Sequence, residues 1–225
     1  MNFFSQFSSR YSDSYKSKIN KQIKIVKNLM GKIVYVDGAE QTGGTITGMW
    51  KKALNKLPKT NLPAEASAKA GGQRPSALLL GLGGGDVVRL ISKKYPRIKI
   101  TAVEIDPVMI EVAKKYFNLE RSANLSIIKN DAAVFLKKNK KKFDFIIVDL
   151  FIGRFNPQNF RRRPFLLSLK KSLTSHGLAL YNSHYDQEKR EEFAEFYKIC
   201  RQVFPVSGII IKYRFSRILH LAVRP

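Results

Sequence analysis

Leu78-Leu79-Leu80-Gly81-Leu82-Gly83-Gly84-Gly85-Asp86 is the stretch whose reading decides the fold. A short apolar strand runs directly into a glycine-rich turn. A second short strand, Lys99-Ile100-Thr101-Ala102-Val103-Glu104, ends in an acid. Glycines at 81, 83 and 85 let backbone approach a ligand closely. Glu104, about 20 residues on, is placed to accept hydrogen bonds from ribose hydroxyls. Strand, glycine turn, helix and acid in that order describe a Rossmann-like nucleoside pocket.

Outward from this stretch the chain alternates. Strands are expected over 77–82, 98–104, 125–129, 143–149 and 178–182. Helices are expected over 86–95, 107–117, 132–138, 163–173 and 187–204. The last two strands, 206–212 and 217–223, are too close for a crossover helix and must be antiparallel. This is the α/β architecture of a class I S-adenosylmethionine-dependent methyltransferase fold, a mostly parallel seven-stranded sheet with an antiparallel last strand. Upstream, 22–27 and 32–38 alternate around a turn at Asn28-Leu29-Met30-Gly31 and read as a β-hairpin. Residues 1–20 are a polar lead-in, 50–57 a short helix and 58–75 a linker. The expected division is 1–75 for tail, hairpin, helix and linker, and 76–225 for a cofactor-binding catalytic domain.

The chain has 225 residues, 44% of them hydrophobic, enough for one sizeable core and a small accessory region. A single cysteine, Cys200, excludes an internal disulfide and a cysteine-based zinc site, and its neighbours mark it as a buried helical bystander. No two of the three histidines have metal-ligand spacing, so no metal is expected. Residues 1–6 lack the pattern of a secretory signal, and no stretch reaches the roughly 18 apolar residues of a membrane span, so a cytoplasmic location is expected.

The formal net charge of +24 attracts nucleic acid or other anions. Two clusters stand out. Lys137 to Lys142 is read as a solvated helix end. Arg161-Arg162-Arg163 follows the expected site loop and is either an anion site or ordinary solvation.

Open α/β sheets bind ligands beyond the carboxyl ends of their strands. Such ends here carry Glu104, then Asp106, then Asn130-Asp131, then Asp149. Asp106 reads best as a helix N-cap. Asp131 is either a cap or an adenine contact. Asp86 is either a ligand contact or a first-turn helix acid. Asp149 is placed to meet the reacting group. His184, at the end of the fifth strand, lies on the same rim.

Together these motifs make the chain resemble the spermidine synthase family, aminopropyltransferases that share the methyltransferase fold. The resemblance covers about residues 20–200. It rests on Asp37-Gly38-Ala39-Glu40-Gln41, Gly83-Gly84-Gly85-Asp86, Glu104-Ile105-Asp106, Asn130-Asp131-Ala132 and Phe143-Asp144-Phe145-Ile146-Ile147-Val148-Asp149. It implies that Gln41 and Asp86 touch the donor's tail, Glu104 the ribose and Asp131 the adenine amino group. It also implies that Asp149 takes the proton of an attacking amine. The donor it implies is S-adenosylmethionine or its decarboxylated form. Repulsion by Asp86 favours the decarboxylated one.

The departures fall on the acceptor side. The family's Asp-Ser-Ser-Asp-Pro is here Asp149-Leu150-Phe151-Ile152-Gly153, and its Tyr-His-Glu is Thr47-Gly48-Met49-Trp50. A site stripped of acids on so basic a protein suits a diamine poorly, so putrescine is expected to be a poor acceptor. The expected function is alkyl transfer from a sulfonium to an unidentified acceptor. Rivals are a genuine polyamine aminopropyltransferase, a nucleic-acid methyltransferase and a non-catalytic nucleoside-binding module. The amine-methylating Asn/Asp-Pro-Pro-Tyr motif is absent after the fourth strand, and Asn156-Pro157-Gln158-Asn159-Phe160 only echoes it. A homodimer is compatible with this reading.

Overall fold

In the computed structural model, residues 11–28, 31–57 and 74–224 are described. The expectations for residues 1–10, the turn residues Leu29 and Met30, and the linker over 58–73 lie outside them. Four strands come first: β1 (Tyr11–Lys16), β2 (Gln22–Asn28), β3 (Gly31–Val36) and β4 (Ala39–Thr42), followed by α1 (Gly44–Asn55). The alternating region is β5 (Ser76–Leu80), α2 (Asp86–Lys94), β6 (Lys99–Glu104), α3 (Pro107–Phe117), β7 (Leu125–Lys129), α4 (Ala132–Lys138), β8 (Phe143–Val148), α5 (Arg163–Lys171), β9 (Leu173–His184) and α6 (Arg190–Val203). It closes with β10 (Val206–Tyr213) and β11 (Ser216–Ala222).

The large sheet has the order β10-β11-β9-β8-β5-β6-β7. β7, β6, β5, β8 and β9 are parallel, and β11 is antiparallel to both of its neighbours. Although last in the chain, β11 is inserted inside the sheet rather than added at its edge. Parallel strands covered on both faces are continuous apolar runs. Here Leu78 and Leu80 face one buried cluster with α4, α5 and α6, while Ala77 and Leu79 face the other with α1, α2 and α3.

Three local expectations are corrected. Part of the supposed lead-in, Tyr11–Lys16, is a strand paired antiparallel to β2. The N-terminal region is therefore a four-stranded sheet rather than a single hairpin. Its last turn, Asp37-Gly38 between β3 and β4, has φ of 48° and 78°, the left-handed pair of a type I′ hairpin turn. Secondly, α1 begins at Gly44, six residues earlier than expected. No local cap starts it. Glu40 accepts from the backbone of Thr45 (2.6 Å) and Ile46 (3.1 Å), and Asp86 accepts from Gly43 (2.6 Å). Thirdly, β9 runs from Leu173 to His184 because β11 pairs along it as far as His184.

The boundary at 75 does not separate two cores. Met49, Trp50, Ala53 and Leu54 of α1 belong to the same buried cluster as Leu79 and Val88. A further cluster packs Ile23, Ile25, Val34 and Val36 of the small sheet on Met109, Val112 and Tyr116 of α3, so α3 lies between the two sheets.

Gly85 caps α2 at φ 87°, and a Cβ there would lie 2.3 Å from Leu119 Cδ1. Gly85→Ala is expected to cost roughly 1–3 kcal/mol through overpacking, read as a lowered thermal midpoint. An unchanged midpoint would mean that Leu119 moves aside freely.

Candidate functional site

The carboxyl ends of β5, β6, β7 and β8 surround a cavity of about 360 Å³. Gln41, Gly81, Gly83, Asp86, Glu104, Asp131 and Asp149 all line it. Gly85 does not: its missing side chain makes room for Leu119 behind the turn. Gly81 also serves the protein, because at φ 89° a Cβ would lie 2.1 Å from the Asp149 carbonyl oxygen. The turn is therefore glycine-rich to let strand ends and helices meet, as well as to open the cavity.

Glu104 is nearly enclosed, at 9% exposure. Its Oε2 accepts from Leu82 N (2.9 Å) and its Oε1 from Asp106 N (2.9 Å). Burial raises its pKa, and these backbone donors pull the other way. Asp131 uses Oδ1 alone to cap α4, accepting from Ala133 N (2.8 Å) and Val134 N (2.9 Å). Cap and ligand contact are thus compatible in one side chain. Asp106 caps α3 through Val108 N (2.9 Å), as expected. It also accepts from Ser17 Oγ (2.5 Å) and Asn20 Nδ2 (2.7 Å). Those bonds anchor the segment whose Lys18, Ile19 and Asn20 form one wall of the cavity.

Asp86 is more committed to the fold than expected. It accepts from Gly43 N and Thr47 Oγ1 at the start of α1 and pairs with Arg89. Its charge is largely answered, which removes the electrostatic ground for preferring a decarboxylated donor. Gln41 Nε2 donates to the Gly153 carbonyl (2.6 Å), tying β4 to the loop after β8.

Asp149 stands where this cavity meets a second one of about 290 Å³. Trp50 Nε1 donates to its Oδ2 (2.9 Å) and Asn182 Nδ2 to its Oδ1 (2.9 Å). Burial pushes its pKa up to about 6, against the pull of those two donors. Such a carboxylate is ionised near neutrality yet able to take a proton. Trp50→Phe keeps an aromatic in the core and removes one donor. We expect the Asp149 carboxyl to titrate at higher pH, read by NMR. A titration that stays in place would mean that this hydrogen bond does not tune Asp149. Neither bond is legible in the sequence, where Trp50 enters as the end of the stretch that departs from the family, because the shared partner lies far along the chain.

The second cavity is walled by β4, the loop after β8, the end of β9 and the β10–β11 turn, and includes Gln41, Asn182, His184 and Phe215. Ile152, where the family has its second carboxylate, is half exposed in the loop after β8, and its backbone pairs with that of Phe155. Asn156 is buried and structural: its Nδ2 donates to the Leu150 carbonyl (2.6 Å) and its Oδ1 accepts from His184 N (2.6 Å).

The arginine run does not form one face. Arg161 is 8% exposed, donates to the Glu192 carbonyl (3.2 Å) and stacks 4.9 Å over Phe196, while Arg162 and Arg163 are exposed. Cys200 is buried, with its thiol pKa pushed up to about 12, which leaves it unreactive. Among the described residues no helix is long and apolar enough to cross a membrane.

A family model described as "Spermine/spermidine synthase domain" matches residues 58–213. The chain is 37% identical to a polyamine aminopropyltransferase of Vibrio vulnificus over 131 residues, 53% of this chain and 44% of that one. It is 31% identical to polyamine aminopropyltransferase 2 of Aquifex aeolicus over 190 residues, 80% of this chain and 36% of that one. It is 33% identical to an eEF1A lysine and N-terminal methyltransferase homolog of Drosophila pseudoobscura over 114 residues, 47% of this chain and 17% of that one. The chain thus spans less than half the length of these three relatives. Among solved structures, spermidine synthase from Thermotoga maritima superposes with a TM-score of 0.75 over 94% of this chain and 72% of that one, at 20% identity. Human methyltransferase-like protein 13 in complex with SAH does so at 0.62 over 80% of each, at 23% identity. At such identities these two matches speak for the fold.

Proposed function

The chain belongs to the spermine/spermidine synthase family, and on that premise we propose that it transfers an alkyl group from a sulfonium nucleoside to an acceptor amine. The donor is S-adenosylmethionine or its decarboxylated form, held in the larger cavity. The observation that carries this reading is the convergence of Glu104, Asp131 and Asp149 from three different strand ends on one volume.

In this reading Glu104 receives the ribose hydroxyls, Asp131 the adenine amino group through its uncommitted oxygen, and Gln41 borders the donor's tail. The uncharged acceptor nitrogen attacks the carbon bonded to sulfur. The carbon–nitrogen bond forms as the carbon–sulfur bond breaks, and its electron pair goes to sulfur. The amine's proton passes to Asp149. Sulfur leaves as a neutral thioether, so the donor supplies its own activation, and the protein's part is positioning and proton acceptance.

Calorimetric titration with both donors, and with 5′-methylthioadenosine and S-adenosylhomocysteine as their thioether products, tests the reading and selects the donor. Saturable binding of one donor with its matching thioether is expected. Absence of binding by all four would sink it.

A further inference from the structure

We infer that the second cavity receives an acceptor carrying one primary amine and one anionic group, rather than a diamine. The inference rests on the functional reading above and names the substrate class of the same site. Its inner wall presents hydrogen-bond acceptors. Asn182 is 3% exposed, and its amide donates to Asp149 while its Oδ1 is buried without a partner. That oxygen has no accessible surface of its own and gains a partner when the side chain turns it toward a ligand N–H. His184 lies two residues further along β9, on the same face, and its ring nitrogens make no hydrogen bond of good geometry. Burial keeps the imidazole on the neutral side. Asp149, with Asn182 and the uncharged His184 beside it, suits one amine, with a single negative charge among the three.

The outer wall has the opposite character. Arg154 and Arg214 are exposed and line the same cavity, and neither forms an ion pair with a carboxylate of the described residues. Glu40 is the other acid there. Its charge is met by the first turn of α1, through Thr45 N, Thr45 Oγ1 and Ile46 N. The far ammonium of a diamine would therefore face two guanidiniums. A carboxylate or phosphonate at that end would pair with them.

The test is calorimetric titration of the full chain saturated with 5′-methylthioadenosine. The probes are 4-aminobutyrate, 3-aminopropylphosphonate and putrescine, similar in length and differing in one terminus. Both anionic amines are expected to bind at least ten-fold more tightly than putrescine. The Arg154→Glu, Arg214→Glu double variant, changed only at exposed positions, is expected to lose or reverse that preference. Putrescine binding as tightly as the others, an unchanged order in the variant, or no probe binding while the thioether still binds would each overturn the inference. If the thioether itself fails to bind, the donor reading falls. The same probes titrated without it then still decide the acceptor class.

Discussion

Glu104→Gln is expected to weaken binding of 5′-methylthioadenosine by about 2–4 kcal/mol, roughly 30- to 800-fold, through loss of the charged hydrogen bonds proposed to the ribose. The substitution is close to isosteric, but it is not silent in the fold. Both carboxylate oxygens accept backbone N–H groups, from Leu82 and Asp106. An amide presents one donor to them. Alanine would strand both, at about 1–3 kcal/mol each. A thermal midpoint measured beside the calorimetry separates lost affinity from lost structure. Because burial raises the Glu104 pKa, affinity for the nucleoside should also fall on acidification as the carboxylate is neutralised. Wild-type affinity in the folded variant would mean that the ribose lies elsewhere.

Asp149→Asn is expected to lower the transfer rate by roughly 10²- to 10⁴-fold, the usual worth of a positioned proton acceptor, with donor affinity held. The wild-type rate should fall on acidification as Asp149 takes up its own proton, at a pH below the value of about 6 it has without ligand, because the bound sulfonium favours the carboxylate. The component from Asp149 should vanish in the variant, leaving only the slope from protonation of the acceptor amine. Single-turnover rates across pH, with donor saturating, read both effects. A variant that retains the wild-type rate would leave Asp149 as a structural acceptor for Trp50 and Asn182.

The central strands were legible because their determinants are local. Four consecutive apolar residues in Ser76–Leu80 suffice for a strand buried on both faces, and Glu104, Asp131 and Asp149 each fall at or within two residues of the end of their own strand. The misread elements owe their form to partners remote in sequence. Helix α1 starts where Asp86, some forty residues on, accepts from Gly43. Strand β1 exists by pairing with β2, and the segment after it by bonds to Asp106. Within the site, the acids could be named from their positions, but not the groups that tune them. Trp50 reads as the start of a short helix and Asn182 as a strand residue until the fold brings both against Asp149. The arginine run misled in the opposite direction, since adjacency in sequence placed Arg161 inside and its two neighbours outside.

The position of Asp149 between the two cavities gives the proposed reaction an internal clock of charge. With a sulfonium on one side, the carboxylate is held in its ionised form by an adjacent positive charge, which opposes the upward shift from burial. Transfer removes that charge in the same event that releases a proton from the acceptor. The base therefore gains proton affinity as the proton arrives. The site passes from a buried pair of opposite charges to two neutral groups, a thioether and a carboxylic acid, which the apolar surroundings favour. In the proposed reaction, the step that completes the chemistry thus also loosens the hold on the spent nucleoside.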